Sequence, residues 1–283
     1  MAGLEGCPCG LDPWAVKVNI AAGDEEMKVG ELSEWIQNLG CGWASENGVR
    51  FGNPEAEVTG VLVCWMCACE SIREAVRRGL NVVLCHEDAL FPPSYAGGNV
   101  DQLAGPVNAA RLGLLGRSGV SVIRAHGPLD KFCILDDFGA RLGLANPSVK
   151  EVDGYVRIYD INPTPFVEFF DAVKHAMGLK AARHWASEGH IVRRVGLPWG
   201  GLGLSINAGF IQKMLGYMPD TLIAGETDEY SFYAAQDAGV ALIETGHAAS
   251  ENPGLEHFVA HMREKLPDLP VVFYMNRPAY AVG

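Results

Sequence analysis

A histidine and a glutamate that could bind a metal ion, His86 and Glu87, directly follow the apolar segment 81–85, which is typical of a buried strand. In α/β sheets, ligand sites usually lie at the carboxyl ends of strands. Neighbouring residues within a strand point to opposite faces, so both side chains can turn toward one site only where the strand ends. Asp88 and Pro92-Pro93 favour such an end. Taken alone, the pair fits a solvated surface position about as well as a ligand position.

A second histidine and carboxylate follow the next predicted strand, 120–124. The segment from His126 to Asp130 leaves this strand and places a carboxylate on a loop at the same end of the sheet. The alternative interpretation makes Asp130 the N-terminal cap of a following turn, and this segment alone slightly favours the cap.

A third element carries His247 and Glu251, four residues apart, after a short apolar run. Side chains at this spacing lie on one face of a helix, and they can also meet around one ion in a tight turn. A proline is tolerated in the first helical turn, so Pro253 predicts a helix that begins near Asn252 and leaves His247 in the preceding loop. The alternative is a helix cap at Ser250 or Glu251 beside an unrelated histidine.

As ligands, these three elements supply two histidines, one from the first and one from the third, and three carboxylates at the ends of predicted strands. A mixed nitrogen and oxygen set of this size is sufficient for two divalent metal ions that share a bridging carboxylate. The residue types suit zinc, iron, manganese, magnesium, cobalt or nickel, and the sequence does not choose among them. The predicted metal ligands are His86, Glu87, Asp130, His247 and Glu251.

The eight cysteines are too few, and too irregularly spaced, for a disulfide scaffold in 283 residues. Cys64, Cys67 and Cys69 form a Cys-x-x-Cys-x-Cys cluster of the kind that binds zinc or iron–sulfur centres, but no second thiol pair follows at a suitable spacing. We therefore interpret them as small buried residues at the end of a strand. Cys7 and Cys9 are assigned no role.

The elements that must position these residues alternate between short apolar runs and amphipathic stretches, a pattern typical of a layered α/β fold. Predicted strands cover 60–67, 81–85, 120–124, 155–159, 191–197, 222–224, 241–243 and 271–275. Predicted helices cover 31–39, 71–78, 107–115, 136–144, 166–177, 206–215, 230–238 and 253–265. The proline-bearing segment 146–165 is the expected crossover between two lobes.

The composition, with 48% apolar and 20% charged residues, is that of an ordinary globular protein. A net charge of −12 argues against duplex nucleic acid or an anionic membrane as the main partner. The longest apolar run, 61–69, is about half of the roughly 20 residues that a membrane-spanning helix requires. Residues 1–14 lack the pattern of a secretory signal. We therefore expect a soluble, cytoplasmic protein.

The order of these motifs resembles that of the NIF-three-like proteins, also known as dinuclear-metal or GTP cyclohydrolase type 2-like proteins. The resemblance extends from about Glu31 to Tyr280. It is strongest over 245–254, where Thr-Gly-His-Ala-Ala-Ser-Glu-Asn-Pro-Gly is similar to the Gly-His-Tyr-x-Ser-Glu segment of the family. On this resemblance His86 matches the first histidine of the family's His-His pair. His126 and Asp130 match the histidine and aspartate of its His-Thr-Asn-Leu-Asp stretch, and His247 and Glu251 match its late pair.

The chain departs from the family pattern at three places. Glu87 stands where a second histidine is usual, Gly127-Pro128 replaces Thr-Asn, and Met66 stands where an aspartate often follows the first strand. A carboxylate at position 87 can still bind a metal ion. It adds negative charge and favours harder ions, which bears on whether one or two metals bind.

The resemblance implies two α/β lobes with a metal cleft between them, and assembly into rings, commonly hexamers. It implies residues 1–30 as an N-terminal extension, a first lobe of about 31–145 plus 241–283, and a second lobe of about 150–240. The family labels point to a metal-dependent hydrolase acting on a nucleotide or another small phosphorylated or cyclic substrate. A non-enzymatic metal-binding regulator, carrier or assembly partner would use the same ligands.

Three further residues are the nearest candidates for proton transfer or for orienting a metal ligand: His126, Glu226 and Glu244. Gly200, Gly201 and Gly203 correspond to a glycine-rich loop of the family. A tight strand-to-helix turn is the favoured role for these glycines, ahead of anion binding.

Overall fold

The computed structural model describes residues 26–40, 47–91, 105–151, 154–277 and 279–280. They fall into two compact units. They are named here by their place in the sequence. The central unit is Ile134–Gly254, and the outer unit contains the described residues up to 133 and from 255 onward. Most of the predicted N-terminal extension, with Cys7 and Cys9, lies outside the described residues, as does Pro92-Pro93.

The described chain contains strands and helices in alternation. The strands are β1 Gly48–Phe51, β2 Val61–Cys64, β3 Val82–Cys85, β4 Ser121–Arg124, β5 Val149–Lys150, β6 Arg157–Pro165, β7 His184–Trp185, β8 Ile191–Gly196, β9 Thr221–Ala224, β10 Ala241–Glu244 and β11 Val271–Tyr274. The helices are α1 Val29–Gln37, α2 Cys69–Arg77, α3 Pro106–Ser118, α4 Leu135–Arg141, α5 Phe166–Ala176, α6 Ala208–Leu215, α7 Glu229–Ala238 and α8 His247–Lys265. A helical turn, Gly127–Leu129, continues into a π-helical turn, Asp130–Ile134.

The sheet of the outer unit has the strand order β1-β4-β3-β2-β11. Strands β4, β3, β2 and β11 are parallel, and β1 is an antiparallel edge strand. Every residue of β2, β3 and β4 is buried, as expected for parallel strands in the interior of an α/β sheet. Because these three strands are parallel neighbours, the loops that follow them leave from one edge of the sheet.

The sheet of the central unit has the order β5-β6-β8-β9-β10-β7. Strands β8, β9 and β10 run parallel, so their carboxyl ends also share one edge. A core that includes Ile158, Met214, Leu222 and Leu242 packs on this sheet. Each unit thus has a parallel segment of sheet whose carboxyl edge can carry a site.

The prediction of an α/β fold with two sheets is confirmed. Several details differ from the sequence-based expectation. Strand β10 pairs in parallel with β9 and so lies in the sheet of the central unit, although 241–283 was grouped with the first lobe. The short strands β5 and β7 were not predicted because they are partly exposed two-residue edges with little apolar pattern.

The predicted start of the last helix near Asn252 is wrong. Helix α8 begins at His247, and Pro253 lies inside it. Gly246 adopts φ +100°, which allows a sharp entry, and the N–H of Ser250 donates to the carbonyl of Gly246 at 3.0 Å. Pro253 has no N–H to donate to the preceding turn, and the helix continues through this position despite that loss.

Across the described part of the chain, no helix combines the length and the apolar character that crossing a membrane requires.

Candidate metal centre

The first donor cluster, termed the outer cluster, consists of His86, Glu87, His126 and Asp130 in the outer unit. Strand β3 ends at Cys85, so His86 and Glu87 leave the alternating pattern of the strand. The N–H of Glu87 donates to the carbonyl of Trp65 at 2.8 Å, which holds this end against the segment that follows β2. Both side chains therefore turn toward one cluster, as the sequence predicted for a strand end.

Asp130 reaches the cluster from the helical turn after β4 rather than from an open loop. Its N–H donates to the carbonyl of His126 at 3.1 Å, and its carboxylate faces both imidazoles. Oδ1 lies 3.4 Å from His86 Nε2, and Oδ2 lies 3.8 Å from His126 Nδ1. Potential donor atoms of His86, His126 and Asp130 all lie within 4.8 Å of one another, a spacing suitable for one metal ion.

The hydrogen bonds of His86 determine which ring nitrogen can bind a metal. Nδ1 lies 3.0 Å from the carbonyl oxygen of Ala125. A carbonyl only accepts, so Nδ1 carries the hydrogen, and the neutral ring presents the lone pair of Nε2. This lone pair faces a carboxylate oxygen of Asp130 in a fully buried position. Two acceptors at this distance require either a proton on Nε2 or a cation between them.

Glu87 is buried, and its two carboxylate oxygens face different partners. Oε1 lies 3.6 Å from Nε2 of His126, and Oε2 lies 3.9 Å from Nη2 of Arg124. The rings of His86 and His126 stack with centroids 4.7 Å apart. The predicted ligands His86, Glu87 and Asp130 are therefore brought together, with His126 as a fourth donor.

The charge balance of the outer cluster favours a cation. In the part of the chain that the structure describes, Glu87, Asp88 and Asp130 contribute three carboxylates within or beside it, and Arg124 contributes a guanidinium. Buried carboxylates that outnumber their cationic partners are costly to keep ionised. A divalent ion is of the size and charge that this donor set prefers.

A second donor cluster, termed the central cluster, consists of Glu226, His247 and Glu251 in the central unit. Because α8 begins at His247, this histidine and Glu251 lie on one helical face, four residues apart. His247 Nδ1 lies 3.0 Å from Oε2 of Glu226, and Nε2 lies 3.2 Å from Oε1 of the buried Glu251. When Nδ1–H donates to Glu226, the lone pair of Nε2 faces a carboxylate, as in the outer cluster.

Gly200 leaves room for the central cluster. It adopts φ +54°, and a Cβ at this position would overlap Oε1 of Glu251 and lie 3.3 Å from Nε2 of His247. The N–H of Gly200 donates to Oγ of Ser250 at 2.9 Å, which ties the loop after β8 to helix α8. The glycine-rich loop thus makes a tight turn and a close approach to two predicted ligands.

Replacement of Gly200 by alanine is expected to displace the carboxylate of Glu251 from His247 and to weaken metal binding. The matched control is Gly178→Ala, because Gly178 has φ +65° but open space around its Cβ position. Both variants should lose roughly 1–2 kcal/mol of folding free energy to left-handed backbone strain. Thermal unfolding measures that shared loss. Isothermal titration with Zn²⁺ should show weaker binding for Gly200→Ala alone, and equal affinity for both variants would contradict the close approach.

The residues predicted for proton transfer occupy different positions. His126 belongs to the outer cluster, where it lies among the candidate metal donors. Glu226 receives the Nδ1–H of His247 and thereby orients its ring. Glu244 pairs with Nη2 of Arg183, and burial raises the pKa of Glu244 although Arg183 opposes this. The catalytic role of each of the three stays a prediction.

The cysteine cluster lies largely in the core. Cys64 ends β2, Cys67 follows it in a buried position, and Cys69 begins α2. Burial raises the pKa of Cys64 well above the usual thiol range, and it raises the pKa of Cys85 to about 12. Metal binding requires thiolates, so these environments oppose it.

Replacement of Cys64, Cys67 and Cys69 by alanine or serine is therefore expected to leave the metal stoichiometry unchanged. Elemental analysis of the purified triple variant checks this result. Loss of one equivalent of zinc or iron relative to the native protein would show that the thiols bind metal after all.

Arg124 was not among the predicted site residues, and it lies beside the outer cluster. Arg124 is the last residue of β4, and every residue of this strand is buried. The available signal was its place two residues before His126, in a strand whose other residues are uncharged. A charged residue inside such a run calls for a buried partner.

The family model described as Duf34/NIF3 (NGG1p interacting factor 3) matches residues 29–278. A protein of Clostridium perfringens named GTP cyclohydrolase 1 type 2 homolog is 24% identical over 243 residues, which cover 82% of this chain and 88% of that protein. A protein of the same name from Lactococcus lactis is 25% identical over 239 residues, or 81% of this chain and 87% of that protein.

Solved structures share the fold at low sequence identity. A Bacillus cereus protein described as related to NIF3 superimposes with a TM-score of 0.74 at 13% identity, over 92% of this chain and 99% of that chain. At this identity the likeness concerns the fold alone.

Proposed function

The chain belongs to the Duf34/NIF3 family, and we propose that it binds divalent metal ions through the outer and central clusters, with at most two ions per chain. The proposed ligands are His86, Glu87 and Asp130 in the outer unit and His247 and Glu251 in the central unit. His126 is added as a fourth donor of the outer cluster.

The proposal rests on the ring orientation of one histidine in each unit. In each unit the Nε2 atom of an imidazole, rather than its hydrogen-bonded Nδ1, faces a buried carboxylate oxygen, at 3.4 Å from Asp130 and at 3.2 Å from Glu251. In each unit Nδ1 has an oxygen acceptor that fixes the tautomer, Ala125 in one and Glu226 in the other. Metal-binding histidines in proteins have this arrangement, with the second nitrogen donating to a carbonyl or carboxylate.

The finer proposal is hydrolysis of a nucleotide or of another small phosphorylated or cyclic substrate. Bound divalent ions supply a water of lowered pKa and positive charge that stabilises developing negative charge. The chain itself provides His126, whose side chain is 30% exposed whereas that of His86 is fully buried. A nitrogen bound to a metal cannot accept a proton, so His126 would exchange protons with solvent only when it is not a ligand. The name GTP cyclohydrolase 1 type 2 homolog, borne by relatives at 24% and 25% identity, makes GTP the first substrate to test.

Elemental analysis of the purified chain tests metal binding directly. We expect one to two equivalents of a transition metal per chain, removable by a chelator and restored by added Mn²⁺ or Zn²⁺. Thermal unfolding with and without metal gives a second readout, since a ligand at 100 times its Kd stabilises by about 2.7 kcal/mol. Absence of both bound metal and metal-dependent stabilisation would overturn the proposal.

A hydrolysis screen separates an enzyme from a carrier or regulator. The metal-loaded protein is incubated with GTP, other nucleotides and simple phosphoesters, and products are separated by chromatography. A hydrolase should lose its rate on chelation while keeping its fold. Metal-dependent stabilisation without turnover of any of these substrates would favour the non-enzymatic alternative. The predicted homo-oligomer stays a proposal, and sedimentation measures it.

A further inference from the structure

The buried guanidinium of Arg124 contacts three consecutive residues at the end of β3. Arg124 is 2% exposed. Its Nε–H donates to the carbonyl of His86 at 3.2 Å, its Nη1 lies 3.1 Å from Oδ1 of Asp88, and its Nη2 lies 3.9 Å from Oε2 of Glu87. A planar guanidinium with several N–H donors is suited to holding a carbonyl and two carboxylates in one orientation.

Arg124 and His126 face opposite oxygens of the same carboxylate. Oε2 of Glu87 lies toward Arg124, and Oε1 lies 3.6 Å from His126 Nε2. The carboxylate of Glu87 thus has the guanidinium of Arg124 beside one oxygen and the imidazole of His126 beside the other. Burying a carboxylate next to a second one, Asp88, also requires a positive charge, and Arg124 supplies it.

We propose that Arg124 is a positioning residue that orients Glu87 toward the metal and balances its charge. This inference rests on the proposed metal-binding function. A buried carboxylate at position 87 needs a positive charge beside it, whereas a neutral imidazole would not. Arg124 also contacts the His86 carbonyl and Asp88, so its removal should cost metal affinity in any background, but the cost should be larger while Glu87 is a carboxylate.

A double-mutant cycle tests the coupling. Mn²⁺ and Zn²⁺ affinities are measured by isothermal titration for the native protein, Arg124→Gln, Glu87→His and the double variant. Loss of a residue that orients a metal ligand typically weakens metal binding about 10- to 100-fold. We expect a loss in this range for Mn²⁺ in Arg124→Gln, and a loss at least about threefold smaller when Glu87→His is already present, because there only the contacts of Arg124 with His86 and Asp88 are lost. Equal losses in both backgrounds would overturn the proposal.

A matched control tests whether the loss of metal affinity reflects only a less stable fold, and a conservative variant tests the contribution of the positive charge. Arg157 is a buried arginine of the central unit paired with Asp136 at 2.8 Å, so Arg157→Gln should lower the Tm without changing the ratio of Mn²⁺ to Zn²⁺ affinity. Arg124→Lys keeps the charge and should retain more Mn²⁺ affinity than Arg124→Gln. If Arg124→Gln fails to fold, Arg124→Lys takes its place in the cycle, with the same criterion of unequal losses.

The metal-free protein separates this inference from the proposed function. In EDTA, the Tm values of the same cycle report the Arg124–Glu87 contact without any metal. Unequal Tm losses in EDTA together with absent metal binding in the native protein would mean that the ion pair is real and that the metal function fails. Additive Tm losses would mean that the contact has no role in holding Glu87.

Discussion

Replacement of Glu251 by alanine is expected to weaken divalent-metal binding by more than about 100-fold and to leave the secondary structure intact. Even the partners that orient metal ligands cost about 10- to 100-fold when removed, and Glu251 is proposed as a ligand itself. Its carboxylate is buried and lies 3.2 Å from Nε2 of His247, so its loss leaves the central cluster with one imidazole and the more exposed Glu226. Isothermal titration and elemental analysis measure the effect.

The control is Glu264→Ala on the same helix, because the side chain of Glu264 is exposed and pairs only with its neighbour Lys265 among the contacts described. Both substitutions introduce a strong helix former into α8, so propensity alone raises stability slightly in each. In EDTA, Glu251→Ala should retain the secondary structure of the native protein. Unchanged metal content in Glu251→Ala would contradict the ligand assignment.

The positions of the predicted ligands followed from local patterns. The apolar runs before His86 and His126 ended where the sequence predicted, so the residues after them were assigned to the correct ends of β3 and β4. The parallel pairing of these strands then places the two ends side by side. Local hydrophobicity was enough because each strand is buried throughout its length, which makes its boundaries visible.

The structural features that the sequence did not predict depend mostly on contacts between residues far apart in the chain. The pairing of β10 with β9 decides its sheet, and a short apolar run carries no information about its neighbour. The start of α8 depends on Gly246 at positive φ, whereas Pro253 suggested a later start. The role of Arg124 depends on carboxylates nearly forty residues earlier in the chain, and its own strand pattern marks it only as interior. The predicted cleft between lobes stays a prediction.

The residue at position 87 is expected to influence which divalent metal this chain prefers, because a glutamate stands there where the family pattern has a histidine. Restoring the family residue with Glu87→His is expected to keep metal bound and to shift preference toward Zn²⁺, Co²⁺ or Ni²⁺ and away from Mn²⁺ or Mg²⁺. The cause is the exchange of a hard, charged oxygen ligand for a neutral nitrogen ligand. The shift should appear as a higher ratio of Zn²⁺ to Mn²⁺ affinity in competition titrations.

Glu87→Ala provides the comparison, because it removes the ligand without replacing it. His86, His126 and Asp130 still offer donor atoms within 4.8 Å of one another, so a first ion should persist. The occupancy of this ion should fall more than that of an ion in the central cluster, because Glu87 belongs to the outer cluster alone. Competition titrations with Mn²⁺ and Zn²⁺ on the native protein and both variants distinguish these outcomes. The same preference and stoichiometry in all three proteins would mean that Glu87 serves Arg124 and His126 alone, and that only four of the five predicted ligands bind metal.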